Sequence, residues 1–189
     1  MDHPTPLAAP NPIAAWHTEH SYFIRLLNLL HKQVDVFHTG QRPDYQLMLD
    51  IISYLRDYSD QFHHPREDVA FERLAKRCPD MALALARLSQ QHRVIANAGE
   101  ALVGYLNAIL DEAIVSRADV EVAAATYLVY YGSHIAEEEK DVLARAAQSL
   151  LPEDWEAVNA AVPPGRDPLF GNGPDEDYRV LRRMIALKA

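Results

Sequence analysis

The 189-residue chain has a single cysteine, Cys78, only seven glycines and no basic excess. One thiol excludes an intrachain disulfide and a cysteine-built cluster or zinc ribbon, and it suits a reducing cytosol. No apolar run approaches the ~20 residues needed to cross a bilayer. The Pro-rich start, Met1 to Pro12, has no basic region followed by an apolar run, so no secretion signal is expected. Lys and Arg total 18 against 27 Asp and Glu, for a formal net charge of -9 and a pI of about 5.4. That balance argues against nucleic acid and anionic membranes as partners. What the chain has is a 49% hydrophobic content, enough for one domain with a real core, and nine histidines.

Apolar spacing predicts an all-α chain. An arm over residues 1–12 leads to a first helix from Ile13, whose stripe runs Trp16, Phe23, Leu27, Leu30, Val34, Phe37 and ends near Gly40. Asp44 is placed to N-cap a second helix running to Arg77. Pro65 interrupts that helix, yet Val69, Phe71 and Leu74 resume the pattern, so a kink or local widening is expected there. A third helix carries Met81, Leu85, Leu88, His92, Ile95, Gly99, Leu102, Leu106 and Ile109, and a fourth spans about Asp119 to Ser149. Four long helices with short turns predict an up-down-up-down antiparallel four-helix bundle over 13–150. Residues 151–189 read as a C-terminal extension packed on it, helical around Trp155 and from Asp175 to Leu187.

Six polar residues interrupt the apolar stripes: His20, His63, Glu67, His92, His134 and Glu138. Two pairs, His63/Glu67 and His134/Glu138, are four residues apart and share a helix face. A lone core histidine is ordinarily bonded to a carbonyl, but a buried unpaired carboxylate is strongly penalised. Six such residues over four helices instead suit two metal ions. Each ion takes two imidazoles and both carboxylates bridge, leaving positions for an oxo or hydroxo bridge and an exogenous ligand. Imidazole plus carboxylate suits iron, manganese or zinc. The other titratable residues have plainer expected roles. His17 is read as a surface residue, His64 as one residue off the ligand face, and His3, His31 and His38 as peripheral. Glu137, Glu139 and Asp68 are read as solvated charges. Tyr127, Tyr130 and Tyr131 are read as core, with one able to donate a hydrogen bond to a metal-bound species.

His63-His64-Pro65-Arg66-Glu67-Asp68 and His134-Ile135-Ala136-Glu137-Glu138 resemble the two signature motifs of the hemerythrin-like (HHE cation-binding) family, and His20 and His92 match its single histidines. The resemblance covers residues 13–149. It implies a non-haem di-iron centre bridged by carboxylates that meets O2, NO or peroxide, in a cytoplasmic protein of oxidative, nitrosative or iron stress with a redox partner still to be assigned. Related readings are an iron-donating or iron–sulfur repair protein, whose usual Cys-bearing N-terminal segment has no counterpart ahead of residue 13. Another is a metal-dependent signalling module. Oxygen-carrying members have a further histidine on the third helix; the corresponding positions here are Leu88 and Ala96. The resemblance thus implies a nitrogen-poor iron, with His17 as a substitute ligand and Gly99 leaving room for access.

Overall fold

The structure, a computed structural model, describes residues 11–171 and 175–188. Residues 1–10 of the expected arm, with His3, lie outside the described residues, as does the side chain of His38. Helix α1 spans Ile13–His38. A second helical run comprises α2 (Tyr45–Tyr54), a π-helical segment (Leu55–His63) and α3 (His64–Arg77). Helix α4 spans Ala82–Leu110. The fourth run comprises α5 (Arg117–Glu137), a second π-helical segment (Glu138–Val142) and α6 (Leu143–Ser149). Helices α1 and α2, α2 and α4, α4 and α5, and α5 and α1 are in contact, which closes the four runs into an antiparallel bundle.

Local chemistry sets the ends of these helices. Asp44 caps α2 by accepting from the Leu47 N–H at 3.0 Å, as its position predicts, and Ser116 caps α5 through the Asp119 N–H at 3.4 Å. Gly40 follows α1 with φ of +76°, a conformation that needs no Cβ. The expected disturbance at Pro65 is a widening. The N–H of His64 donates to Ser59 five residues back, and the wide register stops where Pro65 has no N–H to give. The second π segment, beginning at Glu138, has no proline and no sequence signal that we can identify. Each HxxxE pair therefore abuts a widened turn.

Two apolar clusters fill the bundle. One gathers Phe23, Leu30, Met48, Ile52, Leu55, Ile95, Leu102 and Tyr127; the other gathers Trp16, Phe71, Leu74, Leu85, Leu88, Val142, Leu143 and Trp155. On α1 the clusters part between Trp16 and Phe23, on the second run between Tyr58 and Ala70, and on α4 between Leu88 and Ile95. His20, His63, Glu67 and His92 occupy those gaps. The bundle thus has one polar layer between two greasy ones.

The C-terminal extension carries α7 (Pro152–Ala161) and α8 (Arg179–Lys188). Helix α7 packs on α3 and α8 on α2. Trp155, Val158, Leu169 and Leu181 are buried against the bundle.

Gly99 does not hold open a passage, as its place in the stripe suggested. The ring of Tyr127 fills the space, and a Cβ on Gly99 meets Tyr127 Cε2 at 2.9 Å. A Cβ on Gly104, in the same helix, meets nothing within 4 Å. Gly99→Ala is therefore expected to lower stability by about 1–3 kcal/mol through overpacking. Gly104→Ala should raise it by about 1 kcal/mol through helix propensity. Denaturant midpoints of the two variants check the opposite signs.

Candidate metal centre

The polar layer brings all six predicted residues together, each at most 5% exposed. They converge as two pairs of imidazoles facing two carboxylates. His20 Nε2 and His63 Nε2 are 3.0 Å apart, and so are His92 Nε2 and His134 Nε2. Glu67 Oε1 lies 3.1 Å from His63 Nε2 and 3.5 Å from His20 Nε2, while its Oε2 lies 3.6 Å from His92 Nε2. Glu138 Oε1 lies 3.1 Å from His134 Nε2 and 3.9 Å from His92 Nε2, and its Oε2 lies 3.4 Å from His20 Nε2. Each carboxylate thus offers one oxygen to each imidazole pair. Two nitrogens at right angles round a cation, with bonds of about 2.1 Å, are themselves about 3.0 Å apart.

The fit of a cation can be tested on the polar atoms themselves. All four oxygens of Glu67 and Glu138 are buried without a hydrogen bond in acceptable geometry. Burying such a group unsatisfied is costly. Between two Nε2 atoms 3.0 Å apart there is room for one proton or for a cation that both nitrogens bind. Two cations satisfy the four nitrogens and four oxygens together, so the donor set fits a dinuclear site of hard or borderline metals.

The outer nitrogens show how the inner ones are aimed. His63 Nδ1 contacts Glu19 Oε2 at 2.5 Å, and His20 Nδ1 contacts Glu139 Oε1 at 2.7 Å. His92 Nδ1 contacts Asp68 Oδ1 at 3.0 Å, and His134 Nδ1 contacts Gln91 Oε1 at 3.1 Å. Each acceptor takes the Nδ1 proton and so turns the Nε2 lone pair inward. Asp68 and Glu139 were expected as solvated charges. They are part-exposed, but both serve as histidine anchors. Glu19 and Gln91 were missed altogether. A sequence signal did exist, since all four anchors are immediate chain neighbours of a candidate ligand: Glu19 of His20, Asp68 of Glu67, Gln91 of His92, Glu139 of Glu138.

The remaining residues divide clearly. His17 does not enter the site as a substitute ligand; it is half exposed and its Nδ1 holds Glu139 Oε2 at 2.6 Å. Glu137 stays at the surface, paired with Arg87. His64 is buried, stacked on His92 with ring centroids 4.2 Å apart. Tyr131 donates to Ser59 at 2.5 Å, and Ser59 meets His64 Nε2 at 3.1 Å. Tyr127 is core, and Tyr130 is exposed.

Electrostatics without a cation are strained. Burial, with the Glu67 charge beside it, pushes the Glu138 carboxyl well above the ordinary carboxylate range. Burial acts on Glu67 in the same sense, but His63 and its neighbouring imidazoles outweigh it and keep Glu67 well below that range. Burial opposes charge on His63 and His92 as well. Glu67 and Glu19 nevertheless hold His63 up to about 10, and Asp68 and Glu67 hold His92 up to about 9. Burial and the surrounding imidazoles push His134 and His64 well below the ordinary histidine value.

A bundle with this buried layer defines a class, the helical proteins that hold cations between four facing helices. The model of the hemerythrin HHE cation binding domain matches residues 11–146, and the chain belongs to that family. Neither the curated proteins nor the solved structures contain a significant match.

Two outcomes follow from the anchors and the protons. Glu139→Ala removes the acceptor of His20 and should weaken metal retention about 10–100-fold, read by chelator competition. Protons on His63 and His92 stabilise the metal-free fold below the ordinary histidine pKa. That contribution is lost as pH rises through about 9 to 10. A cation must displace those protons, so its binding strengthens with pH. The rise in melting temperature on adding metal should be larger near pH ~8 than near pH ~6. Equal increments at both would contradict the displacement.

Proposed function

We propose that the chain holds two iron ions, with His20 and His63 on one, His92 and His134 on the other, and Glu67 and Glu138 bridging. Through them it binds or reacts with O2, NO or peroxide. The observation that carries this reading is the pairing of oxygens: each carboxylate presents one oxygen to each imidazole pair. A single ion would leave one pair and two oxygens unserved. Manganese or zinc fits the same donors; zinc is redox-silent and does not suit this reading, and iron is the metal that the family resemblance implies. When bound, the iron pair supplies open coordination positions and one-electron steps.

The chain's own residues define what surrounds that chemistry. Trp16 and Phe23 place their rings against His63, with centroids 6.2 and 5.0 Å away, and keep water from the His20/His63 half. The His92/His134 half meets a cleft of about 170 Å³ lined by Asp60, His64, Pro65, Asp68, His92, Arg93 and Ala96. Small molecules reach the layer from this side. Ala96, one of the two positions flanking His92 where oxygen carriers are implied to have a further histidine, is part of the opening. Burial raises the Asp60 carboxyl in this cleft to about 7, so it can hold or release a proton near neutral pH.

Protein purified without oxygen and supplied with ferrous iron should bind two ions per chain. Its optical spectrum should change on exposure to O2 or NO. His63→Ala or His134→Ala should remove at least half of the iron. Wild type holding no more than one ion, with His63→Ala holding as much, would refute the assignment, as would a spectrum indifferent to both gases.

A further inference from the structure

The histidine absent from α4 has a counterpart elsewhere. We propose that His64 is a displaceable fifth nitrogen ligand of the His92/His134 half of the site, exchanging between the ion and Ser59. This rests on the two-metal reading above.

The donor atoms of His64, Glu67, His92 and His134 all lie within 4.8 Å of one another. Ligands on opposite sides of an ion, with bonds of about 2.1 Å, are about 4.2 Å apart. The cluster is therefore nearly drawn up for coordination already. The ring of His64 is 3% exposed, stacks on His92 with an interplanar angle of 14°, and meets His134 edge-on at 5.5 Å. This buried position lies one residue off the ligand face, directly after the wide turn that ends at His63. Among the described residues the His20/His63 half has no such extra nitrogen; Trp16 and Phe23 stand beside it instead.

Ser59 supplies the competing partner. Tyr131 donates its proton to Ser59 Oγ, which leaves the Ser59 hydroxyl proton for His64 Nε2. Nε2 is thereby an acceptor, with the lone pair that a metal ligand needs. Held by Ser59, His64 leaves a coordination position facing the cleft, of which it is itself a wall. Turned to the ion, it fills that position. An incoming small molecule at this half thus competes with His64.

Cobalt(II) serves as the redox-silent probe, with retention measured by chelator competition and coordination by optical absorption on the full chain. Wild type should bind two ions. His64→Ala should hold one of them at least about tenfold more weakly, with a changed cobalt spectrum, and the other unchanged. Ser59→Ala frees Nε2, with Nδ1 still 3.2 Å from Asp60 Oδ1, and should shift retention the opposite way, toward tighter binding. In the iron-loaded oxidised protein, azide should bind more tightly to His64→Ala than to wild type and more weakly to Ser59→Ala. If His64→Ala does not fold, the sign of the Ser59→Ala shifts decides alone. Two ions held equally by wild type, His64→Ala and Ser59→Ala would overturn the His64 assignment and leave the two-metal reading standing. Fewer than two ions in wild type would overturn both.

Discussion

Two carboxylates buried face to face in the middle of an apolar bundle are the constraint from which the other features follow. Glu67 and Glu138 are fully inaccessible, and their oxygens have no ordinary donors. Even one uncompensated buried charge costs several kcal/mol. The fold tolerates the pair because burial favours the neutral form of Glu138, while His20, His63 and His92 are biased toward their protonated forms beside Glu67. Apolar clusters on either side confine that charge to a single layer, where compensation is available. Moving any one ligand by a helical turn would put it among Leu and Phe side chains with no partner.

The anchoring bonds form a closed circuit round the bundle. The histidine of α1 is held from the fourth run, that of the fourth run from α4, that of α4 from the second run, and that of the second run from α1. Helical pitch makes this possible. A residue next to an inward-pointing ligand lies about 100° round the helix and so faces the adjacent helix. Each helix then presents a ligand to the centre and an acceptor to its neighbour's ligand. The aim of every imidazole consequently depends on two helices, and the layer stiffens the bundle as well as filling it.

This circuit also shows what could be read from the chain and what could not. Apolar spacing at Trp16, Phe23 and Leu30, the cap at Asp44 and the Gly40 ending were legible because each rests on chemistry within one helix. The six candidate ligands stood out because each breaks an apolar stripe, and the structure gathers them in one buried layer. Asp68, Glu139, Glu19 and Gln91 sit on the flanks of their stripes, where polar residues are ordinary. Their role appears only when the adjacent helix is in place. Pro65 announced the first wide turn by its missing N–H. Nothing comparable marks the second, at Glu138–Val142.

The C-terminal extension bears on the first of these wide turns. A π turn packs its backbone less favourably than an α turn and persists where surrounding contacts hold it. The extension makes such contacts at three places on or beside the Leu55–His63 segment. Tyr54 donates to Asp167 at 3.1 Å, Tyr178 donates to Asp57 at 3.1 Å, and the backbone at Gly165 lies so close to the Phe62 ring that a Cβ there would collide. Asp167 is fixed in turn by accepting from the N–H groups of Leu169 and Phe170. On α3, just beyond the wide turn, Arg66 donates to Asn159 of α7. All four contacts grip the outside of the helix whose inner face carries His63, His64 and Glu67. The extension thus packs against the back of the widened turn, on the helix run that carries His63, His64 and Glu67 into the polar layer.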